Sequence, residues 1–202
     1  MEFETRAGLP VELRATDSGA IVVEGYAAVF DTPTNIGGVF TEVVARGAFR
    51  SALTRNDDVE FLINHGGLPL ARSGAGNLTM SEDETGLKIR AELDPTDPDV
   101  QRILPKMRAG MLNQMSFAFQ ATGQRWDTSA EGLDVRTITD CVLYDVSIVN
   151  RGAYPQTSIA LRSRDEAMEA ARKEAEEREA KKARDLYALR KAETEHKFRK
   201  IT

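Results

Sequence analysis

Between Ala20 and Val149 the chain repeats one local signature: short runs that alternate apolar with polar or small residues, closed by Gly, Asn or Asp. Alternation with a period of two sends successive side chains to opposite faces, which suits half-buried strands. The runs are Ala20 to Phe30 (AIVVEGYAAVF), Val59 to Ile63, Leu87 to Leu93, Gln114 to Ala121 and Leu133 to Val149. Short strands separated by turn residues predict a barrel or sandwich. The polar stretch from Gly123 to Gly132 (GQRWDTSAEG) joins the last two runs as a hairpin. Two stretches read instead as helices: Ala45 to Arg55, and Asp97 to Gly110, where Asp97 is the cap, Pro98 lies in the first turn and Pro105 limits or kinks the helix.

From Arg162 the composition changes to Ala, Glu, Lys and Arg, with no Gly or Pro to interrupt a helix. Acid-first pairs four residues apart, Glu169 with Lys173, Glu174 with Arg178, Glu177 with Lys181 and Glu193 with Lys197, favour a long helix. The stretch from Arg162 to Lys200 holds 13 bases and 10 acids in a chain of net charge −5, so the preceding part is the acidic one. The expected division is a domain over residues 1–161 and a charged helical tail over 162–202, either simply solvated or a tether to a partner.

The negative charge argues against nucleic acid as the main partner, because duplex binding is driven by basic surfaces. With 41% hydrophobic and 29% charged residues and no apolar run near the ~20 residues that span a bilayer, a globular chain away from membranes is expected. The N-terminal MEFETRAGLPVELRA lacks an apolar signal core, which points to the cytosol. The single cysteine, Cys141, excludes an intrachain disulfide and reads as a buried thiol.

Catalytic options are few. The chain has two histidines, and His196 lies in the charged tail, where a water-excluding pocket is not expected. His65 ends the strand-like VEFLIN and precedes Gly66 and Gly67, at a strand-to-loop junction. Taken alone, such a histidine is more often structural. A metal site is not expected, for want of a second core histidine, a Cys pair or an HExxH. Ser116, in NQMSFAFQ, alternates onto a face with Ala118 and Gln120, opposite Met115, Phe117 and Phe119; it is either a nucleophile or a serine on the less buried face. Asp145, in LYDVSIVN, shares a face with Leu143, Ser147 and Val149 by simple alternation. A carboxylate there needs a partner, and an imidazole that gains charge during acyl transfer would be one. Asp140 is the nearby alternative.

GYAAVFD, the Gly47-Ala48-Phe49 element, Asn64-His65, MSFAF around Ser116 and YDVSIVNRGAYPQT from Tyr144 to Thr157 occur in an order that resembles the prohead proteases of tailed phages. The resemblance spans roughly Gly25 to Thr157. It implies a mainly antiparallel barrel like that of the herpesvirus assemblins, His65 as base and Ser116 as nucleophile. Asp145 falls where the family carries an acid before a Val-Ser pair, which implies the orienting role. By analogy with assemblins, the loop bearing Arg151 and Gly152 is the candidate oxyanion site; most members have Pro where Gly152 stands. The implied activity is serine endopeptidase cleavage of the scaffolding portion of the major capsid protein, and of the enzyme itself, inside the immature shell in the bacterial cytoplasm. No cofactor is implied, and a homodimer is left open. Two rivals stand beside it: a non-catalytic capsid-assembly protein on the same fold, and a cysteine hydrolase using Cys141, which is expected to lack a cationic neighbour that would lower its pKa.

Overall fold

The computed structural model describes residues 3–10, 12–15, 21–130, 132–150 and, nearer the C-terminus, 169, 172–173, 176–182 and 184. The chain separates into two compact units, residues 1–160 and 161–202. The first is mixed α+β, mostly strands with few helices.

Its strands form two sheets, and among the described residues they do not close into the expected barrel. The smaller sheet is antiparallel, in the order β2 (Glu12–Ala15), β3 (Ile21–Val29), β9 (Gly86–Leu93) and β8 (Leu78–Glu82). The larger runs β1 (Glu4–Pro10), β10 (Gln114–Thr128), β11 (Asp134–Val149), β5 (Phe40–Val44) and β4 (Thr34–Ile36). A second branch adds β6 (Glu60–Ile63) on β11 and β7 (Gly66–Arg72) on β6.

Strand β11 is long enough to hold two partners along one edge. Val135 to Ile138 pair with β5 and Asp145 to Ile148 pair with β6, both in parallel. Helix α1 (Arg50–Arg55) lies in the connection that carries the chain from the first partner to the second. The other strand pairs are antiparallel, in keeping with a mainly antiparallel fold; these two parallel seams are not foreseeable, because alternation records which face a residue takes and not the direction of its neighbour.

The core lies between the sheets and is closed by the helices. In β9, Leu87, Ile89, Ala91 and Leu93 are buried, while Lys88 and Glu92 are exposed. Helix α2 (Pro98–Arg108) buries Val100, Ile103, Leu104 and Met107, the i, i+3, i+4, i+7 stripe of an amphipathic helix. The Asp97 side chain accepts the Asp99 N–H at 2.7 Å, so the cap is as expected. The helix runs through Pro105 to Arg108. Within the core Phe117 meets Phe49 edge to face and stacks on Phe119.

The β3–β9 seam admits no side chain at Gly86, where a Cβ would lie 2.0 Å from the Ala28 carbonyl oxygen. Gly86→Ala is expected to lower stability by about 1–3 kcal/mol, as overpacking does, measured as a reduced urea midpoint with an unchanged slope.

In the second unit the described residues are helical and exposed, with Glu169–Lys173, Arg172–Glu176 and Glu179–Lys182 ion pairs. Pairs of this kind contribute only tenths of a kcal/mol each. Among the described residues no helix is long and apolar enough to cross a membrane.

Candidate active site

Strands β6 and β7 are joined by a two-residue turn, with Ile63 paired to Gly66 and Asn64 and His65 between them at φ 51° and 57°. Two successive positive φ values define the tight turn that matches strand twist, and Asn and His are among the non-glycine residues that tolerate the left-handed region. The turn is tied to β11: the Asn64 N–H donates to the Ile148 carbonyl at 3.0 Å, and the His65 N–H donates to Ser147 Oγ at 3.1 Å. The Asn150 N–H in turn donates to Asn64 Oδ1 at 3.3 Å.

Register across β10 and β11 sets the other two members. Ser116 lies opposite Ser147 and Ala118 opposite Asp145, so all four face the same way. Between Ala118 and Phe119 the register slips, and Phe119 meets Leu143. This bulge leaves Tyr144 unopposed and turns Leu143 into the apolar core with Phe117, Phe119, Val146 and Ile148. Leu143 therefore does not share the face of Asp145, as plain alternation predicts. Nor is the face of Ser116 the less buried one: Ser116 and Ala118 are fully buried, as is Ser147.

The outcome is a continuous hydrogen-bonded line. Asp145 Oδ1 lies 2.7 Å from His65 Nδ1, and His65 Nε2 lies 2.6 Å from Ser116 Oγ. Asp145 and His65 keep only 8% and 11% of their side-chain surface exposed, so the pair acts where water screens it little. Asp145, and not Asp140, is the carboxylate against the imidazole; Asp140 accepts from Thr122 Oγ1 at 3.2 Å. Arg151 and Gly152 lie outside the described residues. Among the described residues no three His, Cys, Asp or Glu side chains group as a metal site.

Two contacts at this site were not read from the sequence. Ser147 Oγ donates to Asp145 Oδ1 at 2.7 Å, and Ser116 Oγ lies 2.8 Å from the Arg6 carbonyl oxygen. The second sets a proton conflict. A neutral imidazole that donates Nδ1–H to Asp145 presents a bare Nε2, so the one Ser116 proton has two acceptors, Nε2 and the Arg6 carbonyl. Attack on a substrate requires that proton on the Nε2 side.

Arg6 is held by charge. Its guanidinium meets Glu42 at 2.5 and 2.8 Å and Glu4 at 2.6 Å, while Arg136 meets Glu4 at 2.6 and 2.9 Å and Glu42 at 2.9 Å. All four residues are buried, and their charges cancel. Gln124 Oε1 accepts from Arg136 Nε at 2.7 Å. Burial works against the charge on Glu4, but the hydrogen bonds and charges of Arg136 and Arg6 outweigh it and hold its carboxyl below the usual range. A sequence signal existed in the spacing of Glu4 and Arg6, two apart and hence on one strand face.

Cys141 belongs to the core and donates to the Ala48 carbonyl at 3.5 Å. Burial, helped by the neighbouring Asp140 charge, pushes its thiol up to about 12 against the partial opposition of Arg55. A thiol so held is not a nucleophile near neutral pH. Iodoacetamide at pH 8 is expected to leave Cys141 unmodified in the folded protein and to label it fully in urea, read by intact mass.

The model of the family described as caudovirus prohead serine protease matches residues 9–174. Over 153 residues the chain is 27% identical to the prohead protease of Enterobacteria phage HK97, covering 74% of this chain and 64% of that protein. The chain thus spans a little under two thirds of the length of this curated relative. Among solved structures, the capsid assembly protease of bacteriophage T4 is similar with a TM-score of 0.52 at 14% identity, over 73% of this chain and 97% of that one, a likeness of fold. With the family model matching most of its length, the chain belongs to the caudovirus prohead serine protease family.

Proposed function

We propose that the chain is a serine endopeptidase of prohead maturation, with Ser116 as nucleophile, His65 as general base and Asp145 as the group that orients the imidazole. The observation that carries this reading is the Asp145–His65–Ser116 line, two short hydrogen bonds contributed by separate elements of a chain otherwise poor in histidine. His65 takes the Ser116 proton as Oγ attacks the scissile carbonyl, and Asp145 stabilises the imidazolium. The proton passes to the leaving amine, and water activated by His65 releases the acyl group. This chemistry uses no cofactor. Donors for the oxyanion are required, since losing one costs ~10²–10³ in rate, and the loop of Arg151 and Gly152 is proposed for that task.

On this reading the hydrogen bond to the Arg6 carbonyl belongs to a resting form. Substrate binding frees the Ser116 proton for His65 and brings a peptide carbonyl to Oγ. The proposed substrate is the scaffolding portion of the major capsid protein, with the enzyme's own chain as a second target. The place of action is the interior of the immature shell in the bacterial cytoplasm. Residues 1–161 carry the chemistry, and the charged tail of 162–202 is a separate module.

The test is co-expression with the cognate capsid precursor, comparing the wild-type chain with Ser116→Ala and His65→Gln, precursor cleavage being read by intact mass. Cleavage in the wild type alone is the expected result. Unchanged cleavage in Ser116→Ala would rule out the serine mechanism, and no cleavage in any sample would favour a capsid-assembly role without catalysis.

A further inference from the structure

One hydroxyl stands at the junction of the base and the acid. Ser147 is fully buried, in a strand segment otherwise filled by Val146, Ile148 and Val149, where an aliphatic residue would be the ordinary choice. Its Oγ donates to Asp145 Oδ1 at 2.7 Å and accepts the His65 N–H at 3.1 Å. The same oxygen is 3.3 Å from His65 Nδ1, beside the 2.7 Å contact of that nitrogen with Asp145. A hydroxyl has one proton to give, which here goes to Asp145, and lone pairs to receive, one of which takes the His65 backbone N–H.

We infer that Ser147 is a positioning residue for the catalytic centre, a single oxygen that fixes both the carboxylate and the backbone of the histidine it serves. The inference rests on the reading of His65 and Asp145 proposed above. Its donated proton holds Oδ1 of Asp145 toward Nδ1. Its accepted bond anchors His65, whose left-handed conformation within a two-residue turn needs outside support to persist. The i, i+2 spacing of Asp145 and Ser147 puts both on one face of β11, and the parallel pairing of Ser147 with Leu62 and of Ile148 with Ile63 brings the His65 turn over that face. Ser147 faces Ser116 across the β10–β11 pair, and its Oγ hydrogen bonds run to Asp145 and His65. It acts through those two residues.

The test uses the full chain with Ser147→Ala, Ser147→Thr, Asp145→Asn and the Asp145→Asn/Ser147→Ala pair. Two readouts are taken: the rate of Ser116 modification by a fluorophosphonate, and the proton NMR signal of the His65 Nδ1–H, assigned with His196→Gln. In Ser147→Ala the Nδ1–H signal is expected to vanish into solvent exchange or move, and modification to slow about 10–100-fold, as expected when a group aiming a reacting residue is lost. Ser147→Thr, which keeps the hydroxyl, restores both. The double variant is no slower than Asp145→Asn alone, because the two residues act as one unit. A merely structural Ser147 would lower the melting temperature, leave the signal in place and give independent, multiplying effects on rate; that pattern overturns the inference. Should Ser147→Ala fail to fold, Ser147→Thr decides, since loss of the signal in a folded threonine variant also overturns it. A wild-type protein that shows the signal but resists fluorophosphonate would count against the protease reading and leave the NMR arm to judge Ser147 separately.

Discussion

Ser116→Ala is expected to abolish peptide cleavage, lowering the rate by about 10⁴-fold or more, while leaving the fold intact. Removal of the nucleophile from a triad leaves only what binding and oxyanion stabilisation supply. The fold survives because alanine fits the same strand position, and Ala118 already occupies the next place on that face. The structural loss is one hydroxyl proton, placed between the Arg6 carbonyl and His65 Nε2, a hydrogen bond worth about 1 kcal/mol. Cleavage of a capsid-derived peptide and the thermal midpoint, measured on one preparation, separate the two effects. A variant that cleaves at more than a hundredth of the wild-type rate would contradict the assignment of Ser116.

Arg136→Ala is expected to produce the largest loss of stability. It leaves Glu4 and Glu42 buried with Arg6 alone between two carboxylates. Breaking a buried pair in this way costs about 3–5 kcal/mol, a large share of the 5–15 kcal/mol that holds a typical domain together. Adding Glu42→Gln removes one uncompensated charge and should recover part of the loss. The consequence reaches the site, because the network pins β1 and the Arg6 carbonyl at the nucleophile. The same network predicts acid sensitivity. The Glu4 carboxyl is held below its ordinary value of about 4.3, so its contribution is complete above that pH and falls away as the pH drops through the lowered folded value. Urea midpoints between pH 7 and pH 3 should show that decline, and Glu4→Gln should flatten it.

The sequence made the site residues legible and left their setting obscure, for identifiable reasons. His65 stood out because a second core histidine is missing, and Asp145 because a carboxylate in an apolar strand demands a partner. Strands β3, β9, β10 and β11 announced themselves by alternation and length. The face of Leu143 was misread because a bulge shifts register by one residue without marking the sequence, and one residue is enough to change faces. Strand β6 is recognisable as a strand and β5 is not among the runs read from the sequence; the parallel pairing of both with β11 depends on the route of the chain through α1. Strand β1 was missed because ETRAGLP is too polar to resemble a buried strand until Glu42 and Arg136 are known to meet it. Ser147 was visible only as a neighbour of Asp145; its role depends on a turn that arrives from β6.

The central claim is that Asp145, His65 and Ser116 form a working relay, and its most direct measurement is the site of covalent modification by a fluorophosphonate. Peptide mapping by mass spectrometry of the wild-type protein is expected to find one phosphonylated residue, Ser116, with modification lost in His65→Gln and in Ser116→Ala. Modification elsewhere, or labelling of Ser116 that persists without His65, would contradict the account.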